Sequence, residues 1–486
     1  MNVTSPVKRA LLALCAASAT AALSPALVAA HTIKEKYAAP LPLVVYVAGA
    51  ALAVAMSFVF VSLRERRSAR PKPAGAPREV PRAIRWTLRA LGLLAWAWIM
   101  AQAFLGGSDP TADVGQVLLW IFGWVGVALV SALLGPVWAW LDPFSTMHVG
   151  LVAAGRRLGL LSPPDEQGEG PFEEARYPMR LGRGPAVAAM VVLIWLELVA
   201  FITGGRPLAL LLLAYTLFTI AGMSYFGRAA WRRNAEVFSV WFNILGRLAP
   251  IALAGEPEDN RVVRRSFASG LFERWSSAEL VLVALGTAAI IFDGLSQTQL
   301  YFDLFGRLNP FGLPSLAVNT VVLGAWLTLI VGVVLATARR IGIAAVGAGL
   351  LPVAVGYLVA HYFLALIFDG QRIIMALNDP LVRGDNFLPY PLSDMTEPWA
   401  FLPASLIWTI QLAAVVGGHV LGAWAGHAAL ASESRTGARL SAQVPLALLM
   451  VAFTSITLWS LGQAVIDETV EQAGPMPAVT ASATAP

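Results

Sequence analysis

The sequence predicts an all-α fold, a polytopic bundle of transmembrane helices. Apolar residues make up 57% of the 486 positions and charged residues only 13%, whereas charged residues make up about 25% of a typical soluble domain. Apolar runs of roughly 20 residues, enough to cross a bilayer as a helix, recur along the chain. Lipid cannot satisfy free backbone N–H and C=O groups, and no run shows sustained β-strand alternation, so each run is expected to be helical.

The amino terminus has the pattern of a secretory signal peptide. Lys8 and Arg9 precede the apolar segment 10–27, and small residues lead to a cleavage site after Ala30. Residues 1–30 are therefore expected to be removed, so that the mature chain begins at His31. The single cysteine lies in the removed segment, which excludes disulfides and thiolate metal sites from the mature protein.

Ten transmembrane spans are predicted in the mature chain, within a bundle that covers 31–466. They lie at approximately 41–63, 84–106, 115–140, 186–203, 207–226, 277–293, 313–337, 341–368, 403–428 and 442–464. The apolar stretch 235–255 is too interrupted to span cleanly and is expected to form an interfacial or re-entrant helix. The tail 467–486 is expected to be disordered.

The distribution of basic residues predicts the orientation of the spans. With His31 outside, the inner loops contain 25 Lys and Arg residues and the outer segments contain 6. Cytoplasmic loops are the ones enriched in basic residues, so both termini are expected to face outward from a bacterial cytoplasmic membrane. The basic segment 64–85 is expected to contact anionic lipid rather than nucleic acid.

The tetrapeptide Ile-Phe-Asp-Gly occurs twice, around Asp293 and Asp369, each time where an apolar run reaches the predicted outer side. A carboxylate there opposes the negative end of the helix dipole, and the following glycine suits a helix C-cap. Two interpretations follow. Each aspartate reaches water or accepts a hydrogen bond in a turn, or both point into a shared outer cavity that holds a cation or a polar substrate.

His361 favours the second interpretation, because it lies eight residues before Asp369 on one helix, roughly 12 Å inward. Asp293, His361 and Asp369 form the hypothetical catalytic set; the alternative for His361 is a neutral imidazole bonded to a hydroxyl. Cleavage after Ala30 would expose an imidazole and an α-amine on His31, a pair that chelates copper. The hypothetical metal ligands are His31, His361 and Asp369, for a divalent metal such as copper or zinc.

Two further polar residues lie within apolar runs. Glu197 needs protonation or a partner at that depth, and Arg206, Asn319 and His361 are the partners considered. His419 follows two glycines that permit close helix approach, so hydrogen bonding between helices and metal ligation are both open for it.

Several strings resemble a family of bacterial, largely actinobacterial, membrane proteins known as fenitrothion hydrolases. They include GWVGVALVSALLGPVWAWLDPF (123–144), YPMRLGRGPA with WLELV (177–199), YFGRAAWRRNAEVFSVWF (225–242), FDGLSQT (292–298) and AHYFLALIFDGQ with NDPLVRGDN (360–386). The resemblance covers most of the mature chain, including His31 at its start. Local differences are IKEKY near the amino terminus and Asp142-Pro143, where the family has Asn-Pro. The resemblance implies hydrolysis of a phosphorothioate triester.

Two functions are therefore open. A hydrolase would need a metal or a general base to activate water, and the predicted outer set would supply it. A transporter would use the same residues to bind a small solute or a coupling ion, with Pro352 and nearby glycines permitting a broken helix. Either protein would have the lipid bilayer and a small-molecule or ion substrate as its partners.

The charge count generates a test of topology. A reporter that is active only in the periplasm should be active when fused after Pro486 and silent when fused within 64–85, because basic loops stay in the cytoplasm. Reporter activity in bacterial cells measures both fusions. The reverse pattern would contradict the predicted orientation of every span.

Overall fold

The computed structural model describes residues 75–461 and six residues between 48 and 57. Within 75–461 there are gaps at 108, 110–111, 161–176, 256–259, 308, 311, 400 and 434–439. The predicted signal peptide, His31, most of the first predicted span and the tail 467–486 lie outside the described residues.

The described chain is mostly helical. In chain order the helices are α1 (Arg82–Leu105), α2 (Gln116–Leu133), α3 (Trp138–Leu141), α4 (Pro143–Arg157), α5 (Gly184–Leu198), α6 (Gly205–Phe226), α7 (Arg228–Asn234), α8 (Val237–Leu245), α9 (Ser277–Ser296), α10 (Gln299–Tyr301), α11 (Ser315–Ile341), α12 (Ile343–Ile367), α13 (Arg372–Asn378), α14 (Ala404–Glu433) and α15 (Leu440–Leu461). The first part of α2, Gln116–Gly126, is π-helical.

Seven of these helices are long and apolar enough to cross a membrane: α1, α2, α6, α9, α11, α12 and α14. Two shorter apolar helices, α5 and the Val444–Ser460 part of α15, coincide with two more of the predicted spans. The third predicted span is shorter than expected. It ends at Leu133 instead of 140, because the chain turns at Gly135, with φ at 151°, and at Pro136.

A small antiparallel sheet departs from the all-α prediction. Its strands are β1 (Arg78–Glu79), β2 (Ile251–Leu253) and β3 (Arg261–Arg264), in the order β1-β3-β2. The sheet joins the segment before α1 to the hairpin after α8, on the predicted cytoplasmic side. Strands this short contain too few residues for alternation of polar and apolar side chains to reveal them.

Helix α8, in the stretch expected to be interfacial or re-entrant, is enclosed by protein. Of its nine residues, all but Ser239 and Asn243 are buried. Its N-cap is Glu236, a fully buried residue whose carboxylate accepts hydrogen bonds from the amides of Phe238 and Ser239. Tyr215 also donates its hydroxyl to Glu236, at 2.7 Å. The apolar side chains of this helix therefore pack against protein, and its position relative to the membrane stays a prediction.

Helices α12 and α14 approach each other closely at glycines. A Cβ atom on Gly356 would lie 2.5 Å from the carbonyl oxygen of Ala414, and one on Gly418 would lie 2.6 Å from the carbonyl oxygen of Pro352. Small residues allow such contacts, which stabilise helix pairs within membranes by van der Waals packing. Pro352 is accommodated inside a continuous α12, so the expected broken helix is not present.

His419 connects three helices at this contact. Its Nδ1 atom lies 2.7 Å from the carbonyl oxygen of Val415, so Nδ1 carries the donated proton. Its Nε2 atom faces the hydroxyl groups of Tyr357 on α12 and Thr454 on α15, at 3.2 Å and 2.7 Å. Because the residue is fully buried, this geometry favours hydrogen bonding between helices over metal ligation for His419.

The glycine contact generates a matched pair of variants. Gly418→Ala should destabilise the protein by about 1–3 kcal/mol, because the added methyl group collides with a backbone carbonyl. Gly417→Ala is the control, since no heavy atom lies within 4 Å of a Cβ at that position and alanine favours a helix by about 0.5–1 kcal/mol over glycine. Thermal unfolding in detergent measures both; equal melting temperatures would contradict the close approach.

Candidate functional site

Three helices bring ionisable side chains together near their carboxyl ends. Glu197 lies in the last turn of α5, Asp293 near the end of α9, and His361 in the second half of α12. All three helices run from the predicted inner side to the predicted outer side, so residues late in each helix meet at the same end of the bundle. The ionisable cluster is defined as Glu197, Asp293, His361 and Tyr362.

The central contact of the ionisable cluster joins His361 and Asp293. The Nε2 atom of His361 lies 2.6 Å from Oδ2 of Asp293, and the two side chains are only 15% and 17% exposed. Gln297 donates its side-chain amide to the other carboxylate oxygen, Oδ1, at 2.9 Å. With Asp293 ionised, Nε2 carries the proton, because a carboxylate only accepts hydrogen bonds. The carboxylate therefore fixes both the tautomer and the orientation of the imidazole.

Tyr362 links the second acid to this pair. Its hydroxyl lies 3.4 Å from Oε1 of Glu197, which is long for an O–H···O hydrogen bond, and it also interacts with the carboxyl group of Asp293. Glu197 and Asp293 are close enough to interact electrostatically. A single tyrosine hydroxyl therefore lies between two carboxyl groups inside an apolar bundle.

The sequence suggested Arg206, Asn319 and His361 as partners for Glu197. Within the described residues, none of them forms a hydrogen bond to it. Asn319 instead accepts a hydrogen bond from Tyr301 at 2.9 Å, and Arg206 donates to a backbone carbonyl of α1. The partner is Tyr362, which directly follows His361. The sequence carried a weak signal for it, because a tyrosine beside a histidine in an apolar run supplies a second proton-donating group at the same depth.

The two aspartates of the repeated tetrapeptide have different surroundings. Asp293 and Gly294 lie inside α9, which continues to Ser296, so the predicted helix end and glycine C-cap are wrong there. Gly294 instead allows close packing, since a Cβ atom would lie 2.9 Å from the hydroxyl oxygen of Ser460. Asp369 follows α12, is 47% exposed in its side chain and contacts Arg372 at 3.4 Å. In the described chain, no hydrogen bond or ion pair joins the two aspartates.

The predicted site residues are therefore only partly brought together. The structure joins Asp293 to His361, whereas Asp369 contacts Arg372. Among the described residues, no group of three or more His, Cys, Asp or Glu side chains is arranged to hold a metal ion. His31 lies outside those residues, so the metal set of His31, His361 and Asp369 stays a prediction.

A cavity of about 670 Å³ opens at the predicted outer end of the bundle, between α1, α2 and α6. Asp113 lines it and accepts hydrogen bonds from the amides of Gly205 and Gln116, at 2.6 Å and 3.1 Å. A Cβ atom on Gly204 would lie 2.5 Å from the same carboxylate. Arg206 also lines the cavity. The cavity therefore presents a carboxylate and a guanidinium group to a solute.

No protein-family model, curated protein or solved structure matches this chain. The seven helices of membrane length fit a multi-pass membrane protein, and the ionisable cluster gives it titratable side chains inside its helix bundle. Such side chains are rare in membrane spans and mark functional sites by default.

The different surroundings of the two aspartates generate a prediction. Asp293→Asn should abolish function, because the amide of asparagine cannot exchange a proton with His361. Asp369→Asn is the matched control from the same tetrapeptide, and it should change stability by less than about 1 kcal/mol, since its ion pair is partly exposed. Thermal unfolding in detergent, alongside the activity assays described under the proposed function, measures both variants. Equal loss of function in the two variants would support the interpretation that Asp293 and Asp369 share one outer site.

Proposed function

We propose that this protein is a transporter that couples the movement of protons to the movement of a small polar solute or cation. The observation that carries the proposal is the 2.6 Å contact between His361 and Asp293, in helices α12 and α9 of membrane length. Buried carboxylate and imidazole groups of this kind form the proton relays of membrane transporters.

The physical argument rests on the cost of charge in an apolar surrounding. An isolated carboxylate at such depth is expensive, whereas a carboxylate and an imidazolium at hydrogen-bond distance offset each other's charge. Glu197 supplies a second protonatable carboxyl group, with the Tyr362 hydroxyl between it and Asp293. The ionisable cluster therefore offers three groups that can bind a proton, and each proton gained or lost changes its net charge by one.

The outer cavity provides a place for a polar solute. Its volume of about 670 Å³ lies within the range of about 300–1,000 Å³ that small-molecule sites occupy. Asp113 and Arg206 offer opposite charges to a solute that carries both an amine and an acid, or to a cation with its counter-ion.

Hydrolysis of a phosphorothioate triester is the second proposed function. It rests on the sequence resemblance to fenitrothion hydrolases and on the orientation of His361 by Asp293, since a carboxylate-oriented imidazole is also the arrangement of a general base. In that reaction His361 would accept a proton from water as the water attacks phosphorus and the nitrophenolate leaves.

Transport is tested in proteoliposomes that contain a pH-sensitive dye and carry an imposed proton gradient. A panel of amino acids, organic cations and divalent metal ions is added outside. At least one solute should change the internal pH with the wild type, and Asp293→Asn, His361→Gln and Glu197→Gln should abolish that change. Asp369→Asn should retain it. If a solute still changes the internal pH with Asp293→Asn, the ionisable cluster does not take part in proton movement.

Hydrolysis is tested by adding fenitrothion to the same purified proteins and following the release of the nitrophenol by absorbance. If His361 is a general base, His361→Gln should slow release by about 10²-fold or more. If the wild type releases the nitrophenol and no solute causes proton movement, hydrolysis and not transport is the function. Absence of release, with solute-dependent proton movement present, would exclude the hydrolase.

A further inference from the structure

A second cavity lies at the opposite end of the bundle, on the predicted cytoplasmic side. Its volume is about 370 Å³, and it is enclosed by the end of α2, by α7 and α8, by the hairpin that follows α8, and by the start of α9. None of the residues of the ionisable cluster lines it.

One face of α8 supplies a polar stripe to this cavity. Ser239, Asn243 and Arg247 follow one another at intervals of four residues, which places them on one side of a helix and its immediate continuation. All three line the cavity, whereas the remaining residues of α8 are apolar and buried. A polar stripe on a helix enclosed by protein requires partners for its polar atoms.

The partners of several such atoms are missing within the described part of the chain. The hydroxyl oxygens of Ser131 and Ser239 and the Nη1 atom of Arg247 are buried and have no hydrogen-bond partner there. Each unsatisfied buried group costs about 1–3 kcal/mol, and a charged group costs more. All three residues line the same cavity, and Arg247 is only 8% exposed. The cavity thus contains a set of donors for which the described protein supplies no acceptor.

Other contacts hold Arg247 in place. Its Nη2 atom bonds Glu279 and donates to the carbonyl oxygen of Arg274 at 3.0 Å, and its guanidinium lies 4.1 Å from the ring centre of Trp275. Burial lowers the pKa of Arg247, while Glu279 acts in the opposite direction; a guanidinium nonetheless stays protonated in proteins. The free Nη1 atom therefore belongs to a fixed cation.

The charge of the lining is positive. Five guanidinium groups line the cavity, those of Arg183, Arg232, Arg233, Arg247 and Arg265. Two carboxylates do, Glu273 and Glu279: Glu273 pairs with Arg265, and Glu279 is shared between Arg183 and Arg247. Arg232 pairs with Asp142, which does not line the cavity. Arg233 and Asn243 are exposed, whereas Arg247 and Ser131 are buried. The unpartnered donors thus lie at the deep end of a cavity whose exposed end is also basic.

We propose that this cavity binds a phosphate ester, with its phosphate group at Arg247, Ser239 and Ser131. A phosphate offers several acceptor oxygens to converging donors, and it forms strong charge-assisted hydrogen bonds with a guanidinium N–H such as that of Nη1. A volume of about 370 Å³ holds the phosphate and part of the group attached to it. On the predicted cytoplasmic face, two sources carry this chemistry, a phospholipid head group and a soluble phosphorylated compound.

The test uses the full-length protein, delipidated in a neutral maltoside detergent, with inorganic phosphate as the probe. Isothermal titration should detect phosphate binding above that of chloride at equal ionic strength. The Ser131→Ala/Ser239→Ala double variant should weaken binding about tenfold or more, since it removes two hydrogen bonds to an anion. Its melting temperature without phosphate should stay equal or rise, because neither hydroxyl has a partner to lose.

A second pair of variants tests the charge of the site. Asn243→Asp adds a carboxylate at the exposed end of the cavity and should abolish phosphate binding. Met179→Asp adds the same charge at a residue that is 92% exposed and does not line the cavity, so it should bind phosphate as the wild type does.

Phosphatidylglycerol added to the micelles distinguishes the two sources of the phosphate group, a lipid head group and a soluble phosphate ester. Loss of the phosphate signal on its addition means that a lipid head group occupies the cavity, and an unchanged signal means that a soluble phosphate ester does. Wild-type binding no stronger than chloride, or unaltered binding in the double variant, would overturn the proposal. Neither result depends on the proton flux that tests transport, so the two proposals fail separately.

Discussion

The close contact between α12 and α14 is the interaction on which the rest of the bundle depends. Lipid gives apolar helices no hydrophobic reason to associate, so backbone approach and hydrogen bonds between helices must hold them together. Gly356 and Gly418 provide the approach, and His419 provides the hydrogen bonds to α12 and α15. This contact fixes the rotation of α12 about its axis. His361, one turn beyond Tyr357 on the same helix, is thereby directed at α9.

The two ends of the bundle handle charge in opposite ways. At the predicted outer end two carboxyl groups lie near one imidazole, which contacts only Asp293, and protonation of a carboxyl group is the natural means of removing excess negative charge. At the predicted inner end five guanidinium groups meet two carboxylates, and arginine cannot lose its proton to relieve the excess. Carboxylates of the chain pair with four of these arginines, and a bound anion would add a further negative charge at the free Nη1 atom of Arg247. Protons thus suit the outer end, and a bound anion suits the inner end.

Apolar run length predicted the seven helices of membrane length, and the alternation of spans predicted that Asp293 and His361 lie toward the same end of the bundle. Their contacts could not be predicted, because helix rotation decides which side chains meet, and apolar runs without strong periodicity leave rotation undefined. Asp369 has the same local sequence as Asp293, yet its helix ends before it. The stripe of Ser239, Asn243 and Arg247 was visible as a four-residue spacing, but its meaning depended on the enclosure of α8 by protein.

Helix α9 carries a residue of each charged region. Glu279 lies in its first turn, held by the capping box with Ser276 and by Arg247, and Asp293 lies 14 residues later, about 21 Å along the axis. Between them Gly286 abuts Trp241, where a Cβ atom would lie 2.7 Å from the indole ring. Because both ion contacts belong to one helix, an axial shift of α9 by one residue's rise, about 1.5 Å, would alter the contacts of Glu279 and Asp293 together.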